Sequence, residues 1–358
     1  MHLRRRGICA PTFIPMNSAV AAALIGLLLI GPAVSRLVEE QIEAFFLVIG
    51  LLAMTLAGAW RWEVARHALA EPVWITLAVI VAGVAFDQLR ESMDRAMALV
   101  RARVARPLLC GGAVFLIALL SSVITAIVAA LVLVETIGLL RLGSRARPRV
   151  TVAGCFAIGL GASLTPLGEP LSTLAADALG LGFTGLFGLL ALYVLPGMLA
   201  CSIAAGLFVS NEEGAGAAPA VVPALAHLRE SVLYSCLRGL RVYVFVAALV
   251  LVSRAFADLA LRYVPRLSPG QLFWANTVSA VMDNATLVAL EIHGMEPARA
   301  REAIIALLVA GGMLIPGNIP NIVAAAALRI GAGGWAKVGI PMGLALLGIY
   351  FVSLQVAG

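Results

Sequence analysis

Long apolar runs alternate with short polar segments along most of the chain. Eight of these runs approach the roughly 20 apolar residues that a helix needs to cross a bilayer. The candidate spans are residues 18–36, 42–60, 72–87, 107–140, 181–209, 229–257, 271–292 and 335–356. Two further apolar stretches, 151–179 and 299–330, are interrupted midway by Pro and Gly. The pattern predicts an all-α polytopic membrane protein with about eight full spans and two re-entrant helical hairpins.

Three segments follow a different pattern. In residues 88–106, charged residues alternate with apolar residues at helical spacing, which predicts an amphipathic helix on the membrane surface. Residues 258–269 are a shorter version of the same element. Residues 210–228 are rich in Gly, Ala and Pro, which is typical of a linker. The linker divides the chain into two parts.

The two parts resemble each other in sequence. At an offset of 150 residues, GASLTPLGEPLSTLAA (161–176) aligns without a gap with GGMLIPGNIPNIVAAA (311–326), and both prolines are in register. Upstream, SSVITAIVAALVL (121–133) aligns with SAVMDNATLVALE (279–291), which places Thr125 opposite Asp283. Self-similarity of this kind indicates an internal repeat.

The repeat predicts how the chain is organised. A leading part with two extra spans covers residues 1–71, and its first 15 residues form a basic lead. The first repeat covers 72–209 with its hairpin at 151–179. The second covers 229–358 with its hairpin at 299–330. Each repeat makes an odd number of crossings, so we expect the two repeats to be inverted, as in many secondary transporters.

One span is too long to be a single straight helix. Residues 107–140 span 34 positions, and at about 1.5 Å per residue a helix of that length overruns a ~30 Å hydrocarbon core. We therefore expect a break near SSVIT, which divides the span into two half-helices. Its counterpart 271–292 has polar residues at its middle and is expected to break there as well.

Charge adds a prediction of topology. With the N-terminus inside, the basic segment RLGSRARPR after residue 140 also lies inside, as the positive-inside rule favours. The Arg-rich segment 88–106 then falls outside, which opposes the rule. The net charge of +6 arises largely from such loop arginines and does not indicate a nucleic-acid partner.

Composition narrows the chemistry. The chain is 62% hydrophobic and 12% charged, about half the charged fraction of a soluble domain. Its five cysteines are scattered, without the spacing of a disulfide framework or a metal site. Nucleotide-binding and hydrolase motifs are absent from the sequence. We therefore expect no enzyme activity, no cofactor and no metal beyond a transported ion.

Asp283 is the strongest candidate for chemistry. It lies in the middle of a predicted span, and no Lys or Arg occurs within ten residues of it. Because desolvating an unpaired carboxylate costs several kcal/mol, we expect Asp283 to bind a cation or a proton. The alternative is a buried acid hydrogen-bonded for packing alone. The neutral donors predicted around it are Asn284, Thr286, Ser279 and the aligned Thr125.

The tips of the two Pro-broken hairpins are the second candidate. Glu169 lies between Gly168 and Pro170 and is expected to be a second ligand or proton carrier, unless the tip is simply exposed to water. The polar residues predicted to join it are Thr165, Gly168, Ser172 and Thr173 in the first tip and Asn318 and Asn321 in the second. Two carboxylates in one site favour a cation over an anion.

The segments SAVMDNATL, TPLGEPLST and IPGNIPN resemble those of a known superfamily of ion transporters. It includes NhaD-type sodium/proton antiporters, arsenite permeases and sodium-coupled dicarboxylate or citrate carriers. The likeness covers roughly residues 72–356, and the short length and GEP tip are closest to an uncharacterised family of predicted cation transporters. The resemblance implies that Asp283 and Asn284 are the ion-binding pair. The Ser-Asn-Thr signature of the dicarboxylate carriers is absent.

From these observations we expect a secondary active transporter in a bacterial inner (plasma) membrane. The leading mechanism is cation/proton antiport with sodium as the first candidate, so Na⁺ and H⁺ are the transported species. The alternatives are a sodium-coupled symporter of a small organic or inorganic anion and a non-transporting membrane scaffold subunit. The expected partners are the lipid bilayer and a small inorganic ion. The leading spans 18–60 are a candidate contact for a homodimer.

Overall fold

The computed structural model describes residues 16–101, 103–213, 232–292 and 294–357, and there the chain is all-α, without a strand. The helices are α1 (Ser18–Val34), α2 (Arg36–Glu40), α3 (Ile42–Leu56), α4 (Trp62–Arg101), α5 (Arg106–Ile124), α6 (Ala126–Leu140), α7 (Ala146–Ala162), α8 (Pro170–Ala178), α9 (Gly185–Glu213), α10 (Val232–Tyr263), α11 (Pro269–Ala275), α12 (Asn284–Glu291), α13 (Pro297–Gly312), α14 (Ile319–Leu328) and α15 (Ala332–Ala357). By length and composition, five helices in this part of the chain are able to cross a membrane. The predicted class, an all-α polytopic membrane protein, is confirmed.

Two predicted segments fall wholly or largely outside the described residues. They are the N-terminal lead, 1–15, and most of the linker at 210–228.

Helices α5 and α6 form a hairpin, although the sequence predicted one broken span across residues 107–140. The Arg106 side chain, at the start of α5, donates a hydrogen bond of 3.0 Å to the Leu140 carbonyl, at the end of α6. A continuous span places its two ends on opposite faces of the membrane, far beyond hydrogen-bonding distance. The chain reverses at Thr125, so the predicted break is present but the predicted crossing is wrong.

Helices α7 and α8 together cross the membrane, although the sequence predicted a hairpin at 151–179. Helix α9 runs antiparallel to α5, because the Cys110 thiol near the start of α5 lies 3.9 Å from the Ala205 carbonyl near the end of α9. The start of α9 therefore lies at the opposite face. Only residues 179–184 connect α8 to α9, so α8 ends at that face too, while α7 begins beside the end of α6.

In the second repeat, too, the hairpin and the broken span lie in the reverse order from the one predicted. The Asn276 amide, just after α11, donates a hydrogen bond of 3.0 Å to the Glu291 carboxylate at the end of α12. The segment α11–α12 is therefore a hairpin, with its turn at 281–283. The ring of Trp274 in α11 lies 5.7 Å from that of Phe351, near the end of α15. Helix α15 therefore starts at the other face, and only three residues separate its start from the end of α14. Helices α13 and α14 together cross the membrane, so the hairpin predicted at 299–330 is wrong.

The two repeats are inverted. The Arg301 guanidinium, near the start of α13, lies 5.1 Å from the centre of the Tyr193 ring, near the start of α9. The Tyr350 hydroxyl, near the end of α15, donates a hydrogen bond of 3.0 Å to the Tyr193 carbonyl. The second repeat therefore starts its hairpin and broken span at the face opposite to that of the first. In each repeat the hairpin and the broken span lie in the reverse order from the one predicted. The number of crossings per repeat is therefore still odd, and the repeats remain inverted.

Helix α4 is longer than the predicted span 72–87. It begins at Trp62 and continues without interruption to Arg101. The predicted surface helix 88–106 is therefore, up to Arg101, a continuation of the same helix. Similarly, α10 extends to Tyr263 and includes the start of the shorter surface element predicted at 258–269. Both long helices run through positions that were read from the sequence as span boundaries.

The hairpin α5–α6 removes the conflict in the charge pattern. Because α5 starts where α6 ends, residues 103–106 and the arginines of 141–149 lie at one face of the membrane, which we call the basic face. The start of α9 defines the opposite face. The arginines of these two segments, gathered at one face, follow the positive-inside rule.

Labelling of single cysteines from either side of the membrane tests this topology. In a cysteine-free background, we expect Arg103→Cys and Ser144→Cys to react with an impermeant maleimide from the same side. Thr184→Cys, in the loop before α9, is expected to react from the other side. Labelling of Arg103→Cys and Ser144→Cys from different sides would show that residues 107–140 cross the membrane after all.

Candidate functional site

Four helices that begin inside the protein point their N-termini at one cavity of about 630 Å³. The residues that precede these helices are Thr125 before α6, Glu169 before α8, Asp283 before α12 and Asn318 before α14. All four line the cavity. Helix N-termini present unpaired N–H groups and a partial positive charge. The structure thus brings together the two hairpin turns and the two broken spans.

Asp283 is held by the first turn of α12. Its Oδ2 atom accepts hydrogen bonds from the Thr286 N–H at 2.8 Å and from the Thr286 hydroxyl at 2.7 Å. The Asp283 N–H donates a 2.9 Å hydrogen bond to the hydroxyl of Ser253, a buried residue of α10. A side chain that caps a helix in this way has a defined orientation. Asp283 is half-buried at the cavity wall.

Glu169 is the most buried acid of the cavity. Its residue exposure is 7%, and the Oε1 atom is buried with no hydrogen-bond partner among the described residues. The carboxyl interacts with the Asn318 side chain, which comes from the other repeat. A carboxylate removed from water with an oxygen left unpaired costs several kcal/mol. A bound cation or a proton at this oxygen offsets that cost.

The Thr125 backbone is strained. Its φ of 75° with ψ of 149° is a conformation that residues with side chains seldom adopt, at a cost of about 1–3 kcal/mol. The following N–H, of Ala126, donates a 2.8 Å hydrogen bond to the Gly168 carbonyl. This bond ties the turn of the first hairpin to the break between α7 and α8.

The contacts at the two broken spans repeat at an offset of 149 residues, one fewer than the sequence alignment predicted. The Ser172 hydroxyl donates a hydrogen bond of 3.2 Å to the Ala162 carbonyl. In the second repeat, the Asn321 amide donates one of 2.8 Å to the Gly311 carbonyl. Aligning the prolines therefore gives a register that is wrong by one residue at the helix starts.

Two glycines show the same offset of 149 residues between the repeats. A Cβ atom on Gly168 would clash with the Ala162 carbonyl, and one on Gly317 would clash with the Gly311 carbonyl. Each glycine lets the chain pass close to the end of the preceding helix. Glu169 follows the first glycine and Asn318 follows the second. The carboxylate and the amide are thus structural counterparts, as Thr125 and Asp283 are.

The predicted site residues separate into two groups. Those that line the cavity are Thr125, Gly168, Glu169, Thr173, Asp283, Thr286 and Asn318. Those that are not in its lining are Thr165, Ser172, Ser279, Asn284 and Asn321.

Most of the second group hold the turns in place. The Thr165 hydroxyl donates to the Ser122 carbonyl, and the Ser279 hydroxyl donates a 3.0 Å hydrogen bond to the Leu307 carbonyl. Asn284 is different, because both polar atoms of its side chain are buried without a hydrogen-bond partner among the described residues.

Three charged or titratable residues of the cavity were missed by sequence reasoning. They are His67 and Glu71 from α4 and Arg254 from α10. Glu71 lies one position before the predicted span 72–87. Arg254 lies inside a predicted span, and an arginine in an apolar run was the signal that could have identified it. In space, therefore, Asp283 shares its cavity with an arginine.

A second cavity, of about 590 Å³, lies toward the basic face. It is lined by the acids Glu39, Glu40 and Glu43 and by the start of α10 and the end of α14. It reaches Ile315 and Ile322, whereas the first cavity reaches residues 318–320 from the opposite face. The break between α13 and α14 thus separates the two cavities.

Fold and site together define a polytopic α-helical membrane protein with inverted repeats and an acidic cavity at broken helices. The model of one protein family, described as "Protein of unknown function (DUF1646)", matches residues 18–357. The chain belongs to this family. A search of curated proteins found no match.

Proposed function

We propose that the protein is a secondary active transporter that exchanges a cation, with sodium as the first candidate, for protons. The observation that carries the proposal is the buried Glu169 carboxyl with its unpaired oxygen, in one cavity with Asp283 and four helix N-termini. A carboxylate in this position is stabilised by a cation or by a proton, and the two compete for the same oxygens. Release of one is thereby coupled to binding of the other.

The neutral residues of the cavity complete the proposed site. The Thr125 and Thr286 hydroxyls and the Asn318 amide oxygen are the kind of ligands that replace water around a small cation. Thr286 also orients Asp283 through its two hydrogen bonds. In the proposed cycle, Asp283 and Glu169 are ionised while they hold the cation and protonated after it has left.

The two cavities support alternating access. One approaches the break between α13 and α14 from the basic face and the other approaches it from the opposite face. A movement of this break relative to the hairpin α5–α6 changes which cavity reaches the carboxylates. Inverted repeats are the architecture in which such an exchange of equivalent conformations is common.

We place the protein in a bacterial inner membrane with the basic face in the cytoplasm, following the positive-inside rule. The Ser18 hydroxyl at the start of α1 lies 3.2 Å from that of Tyr263, at the end of α10. The start of α1 therefore lies at the opposite face, so it is placed outside and not inside as the sequence predicted, while the basic segment after residue 140 stays inside as predicted. The likeness to NhaD-type antiporters supports the same function.

Sodium-coupled symport of a small anion is the second candidate function. Arg254 and the four helix N-termini favour it, because both attract negative charge. In this alternative, the carboxylates hold sodium and the arginine binds the anion.

Thermal unfolding of the purified protein across an ion panel distinguishes the two candidates. For an antiporter, we expect sodium chloride to raise the unfolding temperature relative to choline chloride. A ligand at 100 times its Kd stabilises by about 2.7 kcal/mol. The increase should shrink as the pH falls, because protons compete with the cation.

Each alternative outcome has a defined meaning. A symporter is stabilised most by sodium together with a small anion. If no monovalent or divalent cation changes the unfolding temperature at any pH between about 5 and 8, where proteins are usually most stable, the cation proposal is wrong.

A further inference from the structure

A histidine–carboxylate pair lies at the outer part of the first cavity. The Nδ1 atom of His67 is 3.2 Å from Oε2 of Glu71, one helical turn further along α4. The His67 side chain is 60% exposed and that of Glu71 is 30% exposed. Both residues line the same cavity as Asp283. The more exposed member lies nearer the start of α4, and hence nearer the opposite face.

The charged surroundings of this pair come from three other elements. Arg254 comes from α10, Asp283 from the start of α12 and Glu169 from the start of α8. Glu71 interacts electrostatically with both Asp283 and Arg254. Helix α6 contributes only uncharged residues to the cavity. Beside the pair, the Tyr243 hydroxyl of α10 donates a 2.7 Å hydrogen bond to the Leu69 carbonyl.

The arrangement suits a proton better than a metal ion. A histidine hydrogen-bonded to a carboxylate can accept a proton at one ring nitrogen while it donates one from the other. Histidine is also the side chain whose ordinary titration is closest to neutral pH. Arg254 stays protonated and is therefore no proton carrier. Its positive charge instead offsets part of the repulsion between Glu71 and Asp283.

We propose that His67 and Glu71 form a proton-transfer pair that carries protons between water at the opposite face and Asp283. The proposal rests on the proposed cation/proton exchange and assigns its proton pathway. Nε2 of the imidazole takes a proton from a hydronium ion, and the Nδ1 proton passes to the Glu71 carboxylate. The neutral Glu71 then protonates Asp283 across the cavity and returns to the carboxylate form. The exposed imidazole then loses its Nε2 proton to water and gains a proton from water at Nδ1, which restores its starting tautomer.

Repulsion between two carboxylates gives the transfer its direction. When Asp283 binds a cation, its charge is compensated and Glu71 can remain ionised. When the cation leaves, two negative charges face each other in one cavity, which favours a proton on one of them. Delivery of a proton to Asp283 therefore follows cation release. The contrasting case is a simple surface pair, which stabilises its helix slightly and has no effect on proton delivery.

The test compares two modes of transport by the full-length protein in liposomes. The first is sodium uptake driven by a pH gradient, and the second is sodium/sodium exchange at equal pH. We expect Glu71→Gln to lower the ratio of the first rate to the second about tenfold. His67→Gln is expected to lower it about threefold, and added imidazole buffer should restore most of that loss. Glu63→Gln, an exposed change in the first turn of the same helix, should keep the parental ratio.

The outcomes separate this inference from the proposed function. If the parent protein shows no pH-driven exchange, the proposed function itself fails. If the parent is active and Glu71→Gln keeps the parental ratio, only the proton pathway is overturned. Equal loss of both modes overturns it as well, because Glu71 then serves the cation or the fold. Unfolding temperatures of all variants identify a general loss of structure.

Discussion

The substitution Asp283→Asn is expected to reduce pH-driven cation exchange more than about 100-fold. Removing one partner of a desolvated ion pair costs about 3–5 kcal/mol, which corresponds to at least that factor in occupancy. Asparagine is as good a helix N-cap as aspartate, so the contact with the Thr286 N–H is retained and α12 should still form. The expected loss is therefore one of charge and not of structure.

Reconstituted liposomes with a pH-sensitive dye measure this loss directly. Asp177→Asn is the matched control, because it makes the same chemical change at an exposed position of α8. The control should exchange at the parental rate. An Asp283→Asn protein that exchanges cations for protons as fast as its parent would falsify the proposed mechanism.

The substitution Glu169→Gln is expected to lose exchange by a similar factor while the protein becomes more stable. The Glu169 carboxyl is buried with an unpaired oxygen, and a neutral amide of nearly the same shape is desolvated at a lower cost. We expect the free energy of unfolding to rise by about 1–3 kcal/mol at pH 8 without sodium, where the parental carboxylate is unpaired. Stability and activity then change in opposite directions, as expected of a functional residue.

Thermal unfolding in detergent and the liposome assay measure the two effects on the same preparation. Glu296→Gln, an exposed residue before α13, is the control and should change neither quantity. Two results contradict the prediction. If Glu169→Gln exchanges cations at the parental rate, Glu169 is not part of the transport site. If its unfolding temperature is lower than that of the parent, Glu169 has a structural role.

Much of the site could be predicted from local sequence. An Asp in an apolar run, and a Glu between Gly and Pro, are costly in a bilayer unless the fold places them at a cavity. The alignment that paired Thr125 with Asp283 corresponds to the structure, where each residue precedes the second arm of a hairpin. Local chemistry was sufficient here because caps and breaks depend on a few adjacent residues.

The path of the chain through the membrane could not be predicted in the same way. Pro and Gly mark where a helix is interrupted, but the chain beyond the break either continues or reverses, and both choices have the same composition. The reversal at Thr125 is evident from Arg106, whose side chain reaches Leu140. Similarly, the alignment of prolines gave Ile319 as the counterpart of Glu169, whereas the contacts give Asn318.

By itself, the sequence determined that the protein is a helical membrane protein, where its helices break and which two acids lie at those breaks. These properties depend on hydrophobicity and on local backbone chemistry, which short segments carry. Only the tertiary structure decided which broken segments cross the membrane and that Glu71, His67 and Arg254 share a cavity with Asp283. These properties depend on packing between helices that are distant in the chain, and such packing leaves no trace in the sequence spacing of the residues.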